Sequence, residues 1–432
     1  MEAHTDELAL FQKPIIDTGV ERIDYIDYKP ISQLGGGGGG LVEFIIKPQT
    51  SNAYIDLARS RLEIKFNIIH NAPDGKVADF GPVNNFLFSL FSQVELSLNQ
   101  QVISPDIGTS FSYKAYFDTL LNEGHPSSNS YQRSLQMFYM DTTDQMDNTN
   151  LDVKKRFNAG LVNREKFTHN SKECVLSGPL YVDLAQQEKL LLNSVEVGLR
   201  CWLQRNNWCL MSANRDVDFK VNVKDATLRL CTKRISPGVI LGHSQALKNV
   251  PASYDYKRSV IKTFNLAEGQ QSASIDNLFN GKVPEELVIA LTSSAGFAGD
   301  YKRNPFAFNN YNLNFLAFYI DGVSSPSRPF QPSYGDGVEN SQFVREYASL
   351  FKNKDSDALI PISKRDFLYG YCIYRLNLTN TDSDEAKPNK REGHTRLDIS
   401  FNSALHESVT LILYAKFGDK VEIDESRNII LK

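Results

Sequence analysis

Along much of the chain, apolar and polar residues alternate with a period of two. Over 61–68, Leu62, Ile64, Phe66 and Ile68 share one face, and Arg61, Glu63, Lys65 and Asn67 share the other. That is the pattern of a half-buried β-strand. The same alternation runs through Val195, Val197, Leu199, Cys201 and Leu203, through Ala226, Leu228 and Leu230, and through Leu397, Ile399 and Phe401. It returns at Val409, Leu411, Leu413, Ala415 and Phe417. Further strands are predicted over 42–46, 173–181, 254–266, 287–291, 312–320 and 367–378. In 312–320 both faces are apolar, which predicts a strand covered on both sides. Helical spacing is confined to short stretches. Phe86, Leu87, Leu90 and Phe91 predict a brief helix that turns into a strand at Val94, Leu96 and Leu98. Residues 110–121, with Tyr113, Tyr116, Phe117, Leu120 and Leu121 at helical spacing, predict an amphipathic helix. A second short amphipathic helix is predicted over 344–351. The pattern is that of an all-β protein with a few short helices.

The stretch 81–104 has a distorted counterpart in the second half. VELSLNQQVISP precedes SYKAYFDTLL, and LAFYIDGVSSP precedes, after a longer loop, VREYASLF. Each reads as strand, tight turn, Ser-Pro, loop, aromatic helix, with Asn99-Gln100 and Asp321-Gly322 at the turns. Repetition in the order of elements predicts two similar β domains. Many strands joined by long polar loops predict two tandem sandwiches of Greek-key or jelly-roll type, about eight strands each. The divisions expected are an N-terminal arm at 1–19, a first domain at 20–236 and a second at 237–432, with a linker around Pro237-Gly238. If the halves are duplicates, the two hairpins occupy equivalent places.

Composition narrows the function classes. The 432 residues carry 41% hydrophobic and 23% charged side chains, ample for a large core. The 26 Phe and 19 Tyr favour strands. A net charge of -4 argues against nucleic-acid binding by bulk electrostatics. The five cysteines (Cys174, Cys201, Cys209, Cys231, Cys372) form no CxxC pair and sit in apolar runs, as small hydrophobes of a reducing compartment do. The start, MEAHTDELALFQKP, lacks the apolar core of a signal peptide, and no run approaches a membrane span, so the chain reads as one made soluble. The glycine run at 35–40 reads as a surface loop; no Lys-Ser or Lys-Thr follows to make it a phosphate-binding loop. DTTDQMDNTNLD at 141–152 lacks the central glycine and terminal glutamate of a calcium-binding EF-hand loop, so 125–168 is expected to be solvated.

No catalytic constellation emerges. HExxH, GxSxG, the P-loop and the dinucleotide fingerprint are all missing from the sequence. His4, His70, His125, His169, His243, His394 and His406 are scattered singly. The basic clusters at Lys154-Lys155-Arg156, Lys233-Arg234, Lys302-Arg303 and Lys390-Arg391 are short and flanked by acids, a solvated surface more than a nucleic-acid groove. Asn377-Leu378-Thr379 matches the glycosylation triplet but falls in a predicted strand. No catalytic, cofactor-binding or metal-ligating residue is assigned and no cofactor is expected. A structural assembly protein, a carbohydrate- or other ligand-binding β-sandwich, and, least supported, a glycan-active enzyme stay open at this point.

Taken as a set, GPVNNFLFSLFSQVELSLNQQVISP, YKAYFDTLLNEG and LLLNSVEVGLRCWLQRNNWCLM resemble the major capsid proteins of Polinton (Maverick) elements and related adintovirus-like viruses. The resemblance extends more loosely from about residue 17 through the second-half strands. It implies a double jelly roll, homotrimeric pseudo-hexagonal capsomers tiling an icosahedral shell, no enzyme activity, and residence in the virion. It also implies that the arm and the C-terminal segment contact a penton or minor capsid protein. The loops at 125–168 and 324–342 would form an outward tower or the trimer contacts.

Overall fold

The computed structural model describes residues 18–32, 34, 40–48, 52–71, 79–103, 105–121, 134–214, 217–351, 360–379 and 390–431. The arm at 1–17, most of the glycine run and much of the charged loop after Thr379 lie outside the described residues.

Sixteen strands make two rolls. In the first roll they are β1 (Val20–Tyr28), β2 (Leu41–Ile46), β3 (Ala53–His70), β4 (Phe91–Leu98), β5 (Gln101–Val102), β6 (Cys174–Pro179), β7 (Val197–Leu203) and β8 (Phe219–Ile235). In the second they are β9 (Ala252–Leu266), β10 (Ser272–Asp276), β11 (Glu286–Ser293), β12 (Leu313–Ile320), β13 (Val323–Ser324), β14 (Ile373–Asn377), β15 (Thr395–Phe401) and β16 (Val409–Ile423). The first roll pairs β1-β8-β3-β6 in one sheet and β2-β7-β4-β5 in the other. The second pairs β9-β16-β11-β14 and β10-β15-β12-β13, and the short strand Ile429–Leu431 adds a fifth member to the first of these by pairing with β16 outside the shared order. Adding eight to each strand number of the first roll gives the second. Two four-stranded antiparallel sheets in this order are an eight-stranded jelly roll, and the chain contains it twice.

The two hairpins occupy corresponding edges. Ser97 pairs with Val102 across Asn99-Gln100, and Tyr319 pairs with Ser324 across Asp321-Gly322. All four turn residues have positive φ (44°, 68°, 50° and 80° in chain order), the geometry that matches strand twist in a two-residue hairpin. The repeat seen in the letters is therefore a repeat of topology. It has limits. The small ladder Phe80–Pro82 with Leu210–Ser212 falls between β3 and β4 and between β7 and β8; the second half's ladder, Lys282–Val283 with Arg391–Glu392, sits elsewhere in the order.

The predicted inward faces hold. Leu62, Ile64, Phe66 and Ile68 are buried in β3, and Val197, Leu199, Cys201 and Leu203 in β7. Several expectations need correction. Helix α1 (Phe111–Leu121) is not amphipathic, because all eleven of its residues are buried, Lys114 and Asp118 among them. The loop 136–158 is not simply solvated: Met137, Phe138, Asp141, Met146 and Asn158 are buried in it, and helix α2 (Ala159–Thr168) closes it. Residues 367–368 are helical, because Ser363 and Asp366 form a reciprocal capping box that starts helix α3 (Lys364–Leu368) ahead of β14. In β12 the second face is only half covered at Phe315 and Tyr319. The helix over 344–351 shortens to Val344–Ala348 and turns Glu346 inward.

The two rolls differ most in one sheet face. β11 is buried at every position and β16 at its first nine, whereas β3 alternates over 61–68 and β8 shows exposed positions along its length. The first roll covers the outer face of the second roll's sheet. The equivalent face of the first roll stays open.

Candidate functional site: the seam between the rolls

α1 makes the seam. Its sequence places aromatics at Tyr113, Tyr116 and Phe117, with Lys114 and Asp118 one turn apart. The aromatics reach out of the first roll, although Tyr113 keeps an edge-on contact with Trp208 and Tyr116 a tilted one with Phe138. Tyr116 stacks on Phe306, Tyr113 on Phe297, and Phe117 on both Phe308 and Tyr414, all in the second roll. Trp208 stands edge-on to Phe306, with rings perpendicular, and donates its indole N–H to the Phe297 carbonyl at 3.1 Å. Gly299 passes against the Trp208 backbone at φ 94°, where a side chain would be both strained and crowded.

Beside these rings lies a buried ionic cluster. Lys114 Nζ is 2.7 Å from Asp118 and 3.3 Å from Asp183. Asp118 also faces Lys416 Nζ at 3.4 Å and accepts from the Tyr414 hydroxyl at 2.8 Å. Asp183 accepts from the Ser259 amide at 2.8 Å. Two lysines and two aspartates balance in charge, which is what lets them be buried at all. Burial is the largest influence on Asp118 and would raise its carboxyl, but Lys114 and Lys416, with hydrogen bonds from Lys114 and Tyr414, outweigh it and hold it at about 2.

A second polar knot ties the loop 136–158 across the seam. Arg164, fully buried, pairs with Asp141 at 2.6 Å and donates to the carbonyls of Pro82 and Tyr139, each at 2.7 Å. Asp141 accepts from Asn158 and, from the other roll, Asn304, both at 2.9 Å. Tyr371 donates to the Asp141 carbonyl at 3.0 Å. Nearby, Asp147 joins Arg303, which also pairs with Glu407; burial, chiefly, raises the Asp147 carboxyl against the pull of Asn304 and Arg303. Thr143 donates to Asp366. At the opposite edge, Asn99 in the first hairpin donates to the Arg427 carbonyl at 2.7 Å, and Arg427 grips Asn193 through its carbonyl and its side chain.

These groups are spent on one another: every carboxylate named has a cation or donor from a fixed element. The arrangement can lock two rolls together. The basic clusters are likewise engaged, as Lys155 with Asp152, Arg156 with Asp144, Lys233 with Asp56, Arg303 with Asp147 and Lys390 with Asp419. Cys201, Cys209, Cys231 and Cys372 are buried free thiols, and burial pushes Cys209 and Cys372 up to about 12. Among the described residues no cluster of three or more His, Cys, Asp or Glu could hold a metal ion, and no helix is long and apolar enough to cross a membrane. Sequence reasoning missed Lys114, Asp118, Asp141, Arg164 and Lys416; the Lys114–Asp118 pair inside an apolar run was the one local signal.

No family model matches the sequence. The uncharacterized protein F54H12.2 of Caenorhabditis elegans is 25% identical over 408 residues, covering 90% of this chain and 92% of that one. In structure, the chain is similar over its whole length to one from the Sputnik virophage (TM-score 0.65, 12% identity, 92% of that chain). It is also similar to the mavirus major capsid protein (TM-score 0.55, 10% identity, 99% of this chain and 93% of that one). PBCV-1 VP54 gives a TM-score of 0.58 at 11% identity, with 98% of each chain covered. At these identities the likeness is one of fold, and it spans both rolls.

Proposed function

We propose that this chain is a major capsid subunit: three copies form a pseudo-hexagonal capsomer, and capsomers tile an icosahedral shell. The observation that carries the reading is the unequal exposure of two equivalent sheet faces. Within one chain, the first roll covers the β9-β16-β11-β14 sheet of the second. The corresponding β1-β8-β3-β6 sheet is open, with Ile23, Tyr25 and Ile69 exposed on it. A second copy that offers its second roll there repeats the same joint head to tail. A head-to-tail joint forms a ring when its rotation closes, and three chains supply the six rolls of a hexagon.

In this reading residues 20–236 and 237–432 are the two units of the capsomer, and the chain is a non-enzyme residing in the virion after synthesis as a soluble protein in the host cell. The termini contact a penton or minor capsid protein. The full-length likeness to virophage and mavirus chains supports the shell role, and the nematode relative favours the Polinton (Maverick) lineage, whose members are carried in cellular genomes. The interlocking of 136–158 with the second roll argues that this part of the loop serves the seam, leaving 324–342 the better candidate for the tower. Light scattering on a sizing column tests the reading together with electron micrographs: a stable trimer with hexagonal outline is expected. A monodisperse monomer at every concentration, or glycan binding by such a monomer, overturns it in favour of a ligand-binding sandwich.

A further inference from the structure

α1 lies between β5 and β6, and the helix Val344–Ala348 lies at the equivalent place, between β13 and β14. Aligned without a gap from Tyr113 and Val344, the two share a basic residue at Lys114 and Arg345 and a tyrosine at Tyr116 and Tyr347. The positions through which α1 reaches the other roll, Tyr113, Tyr116 and Phe117, fall on Val344, Tyr347 and Ala348, and Leu120 falls on Phe351.

The surroundings of the two helices differ. Every residue of α1 is buried. In the second roll only one side of the helix is: Phe343, Glu346 and Leu350 face their own roll. The Gln331 amide donates to Glu346 at 3.2 Å, Arg375 of β14 donates to the Leu350 carbonyl at 3.0 Å, and Phe343 stacks on Phe367 of α3. The turn then carries on to Phe351, whose amide bonds the Ala348 carbonyl at 3.2 Å. On the other side Val344, Tyr347, Ala348 and Phe351 recur at i, i+3, i+4 and i+7, the spacing of one apolar face. Val344 is 64% exposed and Phe351 36%, with Ala348 exposed and Tyr347 half-buried. An apolar stripe is held on a fixed base and turned to solvent.

The chain therefore contains one completed joint and both halves of another. In the completed joint α1 lies on the β9-β16-β11-β14 sheet, with Phe117 on Tyr414. The two unmated halves are the stripe at 344–351 and the open β1-β8-β3-β6 sheet, where Ile23, Tyr25, Ile69 and Val175 are between 41% and 54% exposed. Both are exposed in a single chain, so a second copy is needed to bring one onto the other. We propose that Val344, Tyr347, Ala348 and Phe351 of one copy dock on the open sheet of the next, in the place that α1 takes on the second roll. The inference rests on the capsomer reading and adds to it the side chains that make the contact. Ala348 stands where α1 has Phe117, and Lys65, Lys224 and Arg229 stand among the apolar residues of the open sheet. The joint between copies is thus more polar than the seam within a chain.

Photo-crosslinking of the full-length protein tests the contact. With p-benzoylphenylalanine in place of Val344, irradiation of the trimer is expected to give bands of two and three chains. Mass spectrometry of their digests should join position 344 to residues within 20–28, 61–69, 173–179 or 219–235 of another copy. Crosslinks confined to one chain, or reaching any other surface, in a protein that light scattering shows to be trimeric overturn this contact and leave the capsomer reading standing. A protein that forms no trimer overturns both. Val344→Asp gives a second readout: the concentration at which trimers dissociate should rise at least about tenfold, while the thermal midpoint of the monomer holds. Trimers as tight as those of the wild type refute the docking.

Discussion

Tyr116 and Phe306 lie face to face, their ring centroids 4.0 Å apart and their planes 7° from parallel, although 190 residues of chain separate them. Tyr116 belongs to α1 of the first roll and Phe306 to the loop before β12 of the second. The contact sits between Tyr113, Trp208 and Phe308 and is fully buried. Removing the Phe306 ring leaves a cavity that rigid neighbours cannot fill. Phe306→Ala is expected to cost about 3–5 kcal/mol of unfolding free energy. A double-mutant cycle with Tyr116→Ala in urea should return a coupling of about 0.5–1.5 kcal/mol beyond simple burial; additive losses would mean the stacking contributes nothing of its own.

Acid should open the seam in a defined window. Asp118 is held at about 2 in the folded chain against an ordinary 3.8. A depressed carboxylate adds stability that is present above its unfolded value and disappears as the pH falls through the folded one. The contribution, about 2 kcal/mol from a shift of this size, is therefore full above roughly pH 4–5 and gone near pH 2. Denaturation midpoints measured from pH 6 to pH 2 should fall over that interval. Asp118→Asn should lose stability at neutral pH and show a shallower fall.

Among the described residues Arg164 is the largest fully buried side chain, and each of its three guanidinium nitrogens has a fixed acceptor. Arg164→Ala strips Asp141 of its counter-charge and leaves two carbonyls unmet. The expected loss is about 3–5 kcal/mol, read as a lower thermal midpoint. Arg164→Lys should recover little, because an ammonium cannot reach three acceptors arranged around a planar fork.

The open sheet face offers a separate test of assembly. Lys65 lies 2.7 Å from Glu173, and Lys224 bonds the same carboxylate from β8. Such exposed pairs contribute little to the fold. The double variant Lys65→Gln with Lys224→Gln should leave the unfolding free energy of the monomer nearly unchanged, within about 0.5 kcal/mol. If this face joins copies, sedimentation should report trimers giving way to monomers in that variant, while trimers persisting at wild-type concentration would exclude the face from the contact.

Much of the architecture was legible because strands with one wet face must alternate. Leu62 to Ile68 and Val197 to Leu203 declare their inner faces residue by residue, and Asp321-Gly322 declares its turn by the φ values it tolerates. The seam was hidden for the complementary reason. A helix covered on all sides needs no polar face, so Lys114 and Asp118 looked like a solvent side when they are an internal ion pair completed by Lys416, some 300 residues on. Asp141 was unreadable likewise: its partners Arg164, Asn158 and Asn304 come from three separate elements. The start of α3 is a different case. Ser363-x-x-Asp366 is a local capping signal, and the apolar residues that follow it carry a strand-like pattern into the start of α3.

Burial of α1 on every side also has a meaning in time. The helix is complete at Leu121, but Tyr414 and Lys416, which close over it, are made only in the middle of the sixteenth strand. At a ribosomal pace of roughly 5–20 residues per second, the first roll waits on the order of 15–60 s with Tyr113, Tyr116 and Phe117 uncovered. During that interval the nascent chain is an unfinished lid and box, sticky along one stripe. The cell must shield that stripe or keep nascent copies apart until the second roll arrives.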